Sequence, residues 1–187
     1  MLGLLSTNRA SLQLTLAILK PHVVKASHAL EGIRRIIKDN KFKIVKSCVL
    51  KISPQQVESF YGEHKNKFFY NRLVTSMMSG ESEVYILAKE NAISDWRQLM
   101  GPTKVYQAIF THPDSIRGLY GLTDTRNATH GSDSMDSAAR EISVFFPDFN
   151  IRRWLIENGG LVNIEGVKST SHHQITSQNQ IGNSTSW

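Results

Sequence analysis

One ten-residue segment carries more chemical information than any other part of the chain, and it reads Thr125-Arg126-Asn127-Ala128-Thr129-His130-Gly131-Ser132-Asp133-Ser134. The pattern predicts a short strand over 127–130, which places the imidazole of His130 at a strand end. Gly131 follows and permits close approach of a ligand. Hydroxyls and a carboxylate come next, at a predicted helix start. These residues alone leave two interpretations of His130: a hydrogen-bonded structural histidine, or a nucleophile or general base.

Hydrophobic periodicity on either side of this segment predicts strands that alternate with helices. The first strand, Leu12 to Leu19, alternates apolar and polar residues before it becomes fully apolar, as in a strand that enters a core. Further strands are predicted at 42–52, 83–89 and 127–130, and helices at 27–39, 53–64, 71–79, 92–100 and 134–146. The alternation predicts a small sheet with helices packed against it, an α/β arrangement.

Local signals refine two of these boundaries, and a loss of period predicts one loop. Ser53-Pro54-Gln55-Gln56 combines an N-cap serine, a proline at the first helical position and a glutamine three residues after the serine, which together predict a helix start. Gly80 is predicted to close the helix at 71–79 in a left-handed conformation. Residues 103–124 lose any regular period, and we predict a long loop there, of the kind that usually carries function.

The composition excludes several classes of protein. The chain has 187 residues, of which 40% are hydrophobic and 20% charged, and this suits a single globular domain with an ordinary core. No apolar run approaches the ~18 residues needed to cross a bilayer. Cys48 is the single cysteine, which excludes an internal disulfide and a cysteine-based zinc site.

The charge of the chain suits a polyanionic partner. Lys and Arg number 22 against 16 Asp and Glu, a net charge of +6, and this fits nucleic acid, an acidic membrane or the phosphate chain of a nucleotide. No groove-reading helix or aromatic sheet motif favours specific nucleic-acid binding. The densest basic cluster fits a solvated helix face that leads into a strand edge, and it comprises Arg34, Arg35, Lys38, Lys41, Lys43 and Lys46.

We divide the chain into an N-terminal extension at 1–11, a main domain at 12–150, a C-terminal extension at 151–165 and a disordered tail at 166–187. The first acidic residue is Glu31. An acid-free N-terminus is a feature of mitochondrial targeting segments. The expected location is therefore mitochondrial, with the cytoplasm as the alternative.

Asn127-Ala128-Thr129-His130-Gly131-Ser132-Asp133 matches a known active-site motif, Asn-x-x-His-Gly-Ser-Asp. By this motif and those given below, residues 12–149, about three quarters of the chain, resemble the nucleoside diphosphate kinase family, and its divergent type 6 members in particular. The resemblance implies a ferredoxin-like, four-stranded antiparallel sheet with packed helices. Further matching motifs follow the family's order, and they are Leu19-Lys20-Pro21, Phe60-Tyr61, Lys67-Phe68-Phe69-Tyr70, Met78-Ser79-Gly80, Arg97 with Met100-Gly101-Pro102-Thr103, and Ser115-Ile116-Arg117-Gly118.

The resemblance also implies the chemistry. Enzymes of this family move the terminal phosphoryl group of a nucleoside triphosphate to a histidine, and then to a different nucleoside diphosphate. His130 corresponds to that nucleophile, which forms a phosphohistidine, and Glu141 to the carboxylate that hydrogen-bonds the imidazole and fixes its tautomer. Tyr61 corresponds to the active-site tyrosine, which positions the histidine region or the terminal phosphate.

A nucleotide-binding set follows from the same resemblance. Phosphoryl transfer depends on positioning and on neutralisation of charge, so cations are expected around the phosphates. Arginine supplies forked donors that pair with phosphate oxygens. The implied set is Lys20, Arg97 and Arg117 for phosphate, Thr103 as a hydroxyl donor to phosphate, and Asn127 for the sugar 3′-hydroxyl together with Lys20.

Some of these residues have a plainer interpretation. Phe69 is either the aromatic residue on which the base stacks, which implies broad base specificity, or a core aromatic beside Phe68. Arg97 and Arg117 bind phosphate or form surface ion pairs. Mg²⁺ is the implied cofactor, carried by the phosphate oxygens of the nucleotide and not by a dedicated protein site.

The chain departs from the family pattern at two places. His22 stands where most members carry Asp, and we interpret this as a solvent-facing change. The segment from Thr103 to Arg117 is longer than the common form and lacks its usual Pro-Ala-Asp and Lys-Pro-Gly elements. Since this loop contributes to subunit contacts in the family, we expect it to serve a homo-oligomer or a protein partner. The sequence thus predicts a nucleoside diphosphate kinase, or alternatively a weakly active or inactive nucleotide-binding member that acts as a regulatory interaction module.

Overall fold

A computed structural model describes residues 11–160 of the chain. Residues 1–10 and 161–187 lie outside the described residues, and with them most of the predicted N-terminal extension and the whole of the predicted tail. Within 11–160, no helix has both the length and the apolar character needed to cross a membrane.

The described residues form one sheet of four antiparallel strands in the order β2-β3-β1-β4. β1 (Leu12–Leu19) lies between β3 (Glu81–Glu90) and β4 (Thr129–Gly131), and β2 (Lys43–Lys51) pairs with the other side of β3. This topology confirms the predicted ferredoxin-like sheet with packed helices.

Short helices connect the strands and cover both faces of the sheet. The predicted start of the third helix is confirmed, because the Ser53 hydroxyl accepts a hydrogen bond from the N–H of Gln56 while the Gln56 side chain accepts one from the N–H of Ser53. In chain order the helices are α1 (Pro21–Val24), α2 (Ser27–Asp39), α3 (Pro54–Phe60), a 3₁₀ helix (Gly62–His64), α4 (Tyr70–Met77), α5 (Ala92–Met100), α6 (Val105–Thr111), α7 (Ile116–Tyr120), α8 (Met135–Phe145) and α9 (Ile151–Glu157).

The alternation of side chains along β1 creates a hydrophobic core on each face of the sheet. Leu14, Leu16 and Ile18 belong to the core that α3, α4, α8 and α9 complete. Ala17 and Leu19 belong to the opposite core, which α2, α5 and α7 complete. Complete burial of a leucine or isoleucine contributes about 1.5–3 kcal/mol, so these side chains stabilise the position of the central strand. β4 pairs with this strand and is positioned by it.

Residues 103–124 are not the predicted long loop, because α6 and α7 lie within them. The sequence of α6 shows no helical period of apolar residues, because the helix buries only Val105 and Ala108 and leaves Tyr106 and Phe110 exposed, at 76% and 70%.

Two other local predictions were wrong. α3 ends at Phe60 and a 3₁₀ turn replaces its last turn, and Gly80 has no positive φ. The predicted C-terminal extension begins with α9, whose Leu155 packs into the first core.

Candidate active site

The spacing of residues along α8 brings Glu141 to the sheet. Ser134 caps this helix, since its hydroxyl accepts a hydrogen bond from the N–H of Ser137. Glu141 lies on the otherwise apolar buried face of α8 and is only 5% exposed. A buried carboxylate requires hydrogen-bond donors around it. The residues of that buried face are Ala138, Glu141, Ile142 and Phe145.

His130, Ser132 and Glu141 form a hydrogen-bonded group. The register of the sheet pairs His130 with Ile18 of β1. The Ser132 hydroxyl donates to Glu141 Oε2 at 2.7 Å, and His130 Nε2 lies 3.0 Å from the same oxygen. Since an ionised carboxylate only accepts hydrogen bonds, the proton of a neutral His130 belongs on Nε2. The lone pair is then on Nδ1, which is the nitrogen available to a ligand.

An aromatic row runs away from the histidine along α3 and the 3₁₀ turn. The ring of Phe60 meets the ring of His130 edge to face, with centroids 4.8 Å apart. Tyr61 follows and is buried, and burial together with the charge of Glu141 raises the pKa of its phenol, which therefore stays neutral. His64 lies between Tyr61 and Phe69, with ring centroids 6.1 and 5.8 Å from theirs. The row connects the histidine to Phe69.

A tryptophan holds the backbone of the histidine strand. The indole Nε1 of Trp96 donates to the carbonyl oxygen of His130 at 3.1 Å. Gly131 allows this approach, because a Cβ on that residue would lie 2.3 Å from Trp96 Cδ1. A side chain at 131 therefore has no room unless Trp96 or the strand moves.

Replacing Gly131 with alanine is expected to lower the free energy of unfolding by about 1–3 kcal/mol, as overpacking of a well-packed site does. Denaturant-induced unfolding measures this change. The matched control is Gly62→Ala, where an added Cβ meets no atom within 4 Å. Equal effects of the two substitutions would show that Trp96 yields easily and that the close approach is not a constraint.

Basic and polar side chains converge beside the histidine strand. Lys20 Nζ donates to Asn127 Oδ1 at 2.6 Å and to the carbonyl oxygen of Thr125 at 3.2 Å. Asn127 Nδ2 donates to the carbonyl oxygen of Thr103 at 3.2 Å. Arg117 reaches the same segment, donating to Thr103 Oγ1 at 3.4 Å. Lys20, Arg117, Thr103 and Asn127 thus form one connected group.

Arg117 is buried where no carboxylate contacts it among the described residues. It also donates to the carbonyl oxygens of Gly101 at 2.7 Å and Thr129 at 3.3 Å, and its Nε has no partner among the described residues. Burial and the charge of Arg97 lower its pKa to about 10, so it remains charged at neutral pH. A buried guanidinium that has no carboxylate partner suits a bound anion, which would neutralise its charge.

Lys20 is similarly placed, with 4% of its surface exposed. Burial and the charge of Arg117 lower its pKa to about 7. Its two oxygen acceptors are neutral, so nothing among residues 11–160 compensates the ammonium charge in the ligand-free site. A bound anion would supply that compensation.

The stability of the ligand-free protein is expected to rise with pH because of Lys20. The unfolded chain keeps its proton on Lys20 up to about pH 10.5, whereas the folded protein loses it near pH 7. Between these values the unfolded state binds more protons, so the free energy of unfolding increases with pH. Urea unfolding at pH 6.5 and pH 9 measures the rise. In Lys20→Met, the part of this rise due to Lys20 should disappear, and an unchanged rise would contradict the assignment.

The structure brings most of the predicted site residues together, though not all by direct contact. His130 contacts Glu141, and the group of Lys20, Thr103, Arg117 and Asn127 is connected as described above. Arg97 is exposed, and its charge acts on Arg117. Phe69 is half-buried beside an 88% exposed Phe68 and belongs to neither core, which speaks against the core interpretation. It lies at the far end of the aromatic row.

Sequence reasoning assigned no role to Ser132, Phe60, Trp96 or His64, although all four lie in this site. The hydroxyl after His130-Gly131 was a visible signal for Ser132. Phe60 and Trp96 lie on apolar helix faces, where nothing in the pattern separates a core aromatic from one that touches the histidine. The solvent-facing interpretation of His22 was wrong, because both of its ring nitrogens are buried. α1, the helix that carries His22, was not predicted.

Among residues 11–160, no group of three or more His, Cys, Asp or Glu side chains is arranged to hold a metal ion. The hydrogen-bond donors beside the histidine strand are cationic or neutral side chains, and such a set suits a bound anion.

Known proteins of one family resemble this chain. The sequence model of the family "Nucleoside diphosphate kinase" matches residues 13–151. "Nucleoside diphosphate kinase 6" of Mus musculus is 53% identical over 147 residues, which cover 79% of this chain and 78% of that protein. The Homo sapiens protein of the same name is also 53% identical over 147 residues, covering 79% of each chain. The crystal structure of the Aquifex aeolicus nucleoside diphosphate kinase has a TM-score of 0.70 at 33% identity, covering 73% of this chain and 96% of that one.

Proposed function

Since the chain belongs to the nucleoside diphosphate kinase family, we propose that it transfers the γ-phosphoryl group of a nucleoside triphosphate to a nucleoside diphosphate through a phosphohistidine at His130. The observation that carries the proposal is the hydrogen bond between His130 Nε2 and Glu141 Oε2. It commits the proton to Nε2 and leaves Nδ1 as a nucleophile, and Ser132 orients the carboxylate from the other side.

In the first half-reaction the lone pair of His130 Nδ1 attacks the γ-phosphorus. The bond from this phosphorus to the β–γ bridging oxygen breaks, and the nucleoside diphosphate leaves with the electron pair. The imidazole ring acquires positive charge as the N–P bond forms. Glu141 compensates this charge through the Nε2 proton, which stays on the ring throughout.

The second half-reaction reverses these steps with a different nucleotide. A terminal phosphate oxygen of the acceptor diphosphate attacks the phosphorus, the N–P bond breaks, and its electron pair returns to Nδ1. Since the same groups serve both directions, the site has to bind diphosphates and triphosphates alike. The product is a new nucleoside triphosphate.

The surrounding residues bind and orient the nucleotide in this proposal. Lys20, Arg97 and Arg117 neutralise phosphate charge. Thr103 donates its hydroxyl to phosphate. Lys20 and Asn127, already hydrogen-bonded to each other, bind the sugar 3′-hydroxyl. Members of the family generally use Mg²⁺, and we propose that the substrate is the Mg²⁺ complex of the nucleotide.

In this proposal the aromatic row, formed by Phe60, Tyr61, His64 and Phe69, is the second side of the nucleotide site. Phe69 at its end provides a stacking surface for the base, and stacking is tolerant of base identity because every base has a π-face. Tyr61, kept neutral by its raised pKa, can only donate or accept as a phenol. We therefore propose that Tyr61 positions the histidine region or the terminal phosphate and takes no part in proton transfer.

Protein interaction is the second candidate function, and one observation favours it. α6 leaves Tyr106, Ile109 and Phe110 exposed on one face, with the rings of Tyr106 and Phe110 in contact at 5.0 Å between centroids. This face lies in the segment that departs from the family pattern. We propose that it contacts a second copy of the chain or another protein, and the mass of the protein in solution tests the first of these.

Steady-state kinetics test the proposed function. With ATP as donor and GDP as acceptor, a phosphoenzyme mechanism predicts parallel lines in double-reciprocal plots of initial rate at several fixed GDP concentrations. Intersecting lines would contradict a covalent intermediate. Absence of any transfer, in a protein that still binds ADP, would leave the regulatory module as the better description.

A further inference from the structure

Asp124 lies in a tight turn just before the histidine strand, and the proposed mechanism gives it no role. The N–H of Leu122 donates to the carbonyl oxygen of Arg126 at 2.8 Å, and the N–H of Arg126 donates to Thr123 Oγ1 at 3.0 Å. These two hydrogen bonds close the turn. The side chain of Asp124 reaches out of it, and its Oδ1 accepts a hydrogen bond at 3.0 Å from the N–H of Val105, 19 residues earlier. The contact therefore joins the turn to the start of α6.

This contact caps α6 from a distant part of the chain. The first N–H groups of a helix have no partner within the helix, and within the described part of the chain the N-cap residue Lys104 provides no side-chain cap. A carboxylate at this end also interacts favourably with the helix dipole. Val105 is itself buried, and a Cβ on Gly121 would lie 2.7 Å from Val105 Cγ2. The start of α6 is thus held by one hydrogen bond and by tight packing.

The backbone held in this way carries Thr103, the proposed hydroxyl donor to phosphate. Thr103 precedes Val105 by two residues, and its carbonyl oxygen accepts a hydrogen bond from Asn127 Nδ2 at 3.2 Å. Asn127 and Asp124 therefore hold the backbone at both ends of this segment. The Thr103 side chain is exposed, and Arg117 Nη1 lies 3.4 Å from its hydroxyl, which is long for a hydrogen bond. The position of that hydroxyl consequently depends on the backbone.

The opposite side of the turn contacts the sugar-binding side chains of the proposed site. The carbonyl oxygen of Thr125, the residue after Asp124, accepts a hydrogen bond from Lys20 Nζ at 3.2 Å, and Lys20 also donates to Asn127. A bound nucleotide spans these side chains and the hydroxyl of Thr103. Their separation has to match the ligand, and the Asp124 contact links the two sides.

We propose that Asp124 is a positioning residue, which holds the hydroxyl of Thr103 at the distance from the sugar-binding side chains that a bound nucleotide requires. The inference rests on the proposed function, since the ligand is the nucleotide of that site. Asp124 acts through the backbone of Val105 and Thr103 and does not itself contact the ligand. Its loss should therefore weaken binding only as far as the Thr103 hydroxyl contributes to it.

A double-mutant cycle on the affinity for ADP tests this coupling. Asp124→Ala removes the acceptor and Thr103→Val removes the hydroxyl, and each is expected to raise the Kd for ADP about 3- to 10-fold, as loss of one hydrogen bond does. The combined variant should bind ADP about as weakly as Thr103→Val alone. Asp124→Asn keeps an acceptor oxygen and should bind as the wild type does.

The matched control is Asp114→Ala, since Asp114 is an exposed carboxylate between α6 and α7, and its Kd should not change. Urea unfolding shows whether each variant is folded. The proposal is overturned if Asp124→Ala binds ADP as the wild type does, or if the separate effects of Asp124→Ala and Thr103→Val multiply in the combined variant.

A second measurement needs no nucleotide. The amide hydrogen of Val105 should exchange with solvent about tenfold faster in Asp124→Ala than in the wild type or in Asp124→Asn, because it loses its acceptor. Equal exchange rates would overturn the role of Asp124, even in an active kinase. Conversely, fast exchange and a coupled effect on ADP binding, in a protein that transfers no phosphoryl group, would support Asp124 as a positioning residue and contradict the proposed function.

Discussion

Replacing His130 with alanine is expected to lower kcat by about 10⁴-fold or more, because loss of a covalent nucleophile removes the reaction path and not merely a binding contact. The imidazole of His130 is one hydrogen-bond partner of Glu141, and in the variant Ser132 should still donate a hydrogen bond to that carboxylate. The fold and the binding of ADP should therefore be largely retained. Initial rates of transfer from ATP to GDP measure the effect.

The matched control is His28→Ala, since His28 is exposed on α2 and makes none of the contacts described for the site. Its rate should stay within about twofold of wild type. Binding of ADP by His130→Ala shows that the site is intact. If His130→Ala kept more than about a tenth of the wild-type rate, phosphoryl transfer would not depend on a phosphohistidine at this position.

Arg117→Lys is expected to lower kcat/KM by about 10²–10³-fold. An arginine that neutralises phosphate in the transition state contributes at least this much in phosphoryl transfer, and lysine lacks the forked donors. The substitution also removes donors to the carbonyl oxygens of Gly101 and Thr129. The free energy of unfolding should therefore be measured together with the kinetics.

Arg153→Lys is the control for this prediction, because Arg153 lies on α9 in an exposed ion pair with Glu157. Exposed surface pairs of this kind contribute little to stability, and activity should not change. Equal kinetics in Arg117→Lys and the wild type, with both folded, would mean that Arg117 supports the backbone and does not bind phosphate.

Much of the fold could be predicted from local patterns. The alternation of Leu12 to Leu19 and the capping residues Ser53 and Gln56 are short-range signals, and the structure confirms both. The helices at 105–111 and 116–120 could not be found in this way. Each is shorter than two full apolar periods, and α6 exposes aromatic residues that a periodic pattern would place inside. The pairing of the strands depends on contacts between distant residues, and only the resemblance to the family predicted a four-stranded antiparallel sheet.

The site shows the same division between local and long-range information. His130 and its motif were visible in ten consecutive residues. The role of Ser132 needs the geometry of Glu141, and the contacts of Phe60 and Trp96 with the histidine arise from packing between separate elements. His22 was misinterpreted for a related reason, because partial burial of a polar side chain in a four-residue helix leaves no periodic signal.

Labelling of the protein itself tests the central claim most directly. Wild-type protein and His130→Ala are incubated with γ-labelled ATP and Mg²⁺, and the denatured proteins are then examined for bound phosphate. The account predicts an acid-labile, base-stable label on the wild type that is absent from His130→Ala and is discharged by GDP. Label that persists in His130→Ala, or its absence from a wild-type protein that binds ADP, would contradict phosphoryl transfer through His130.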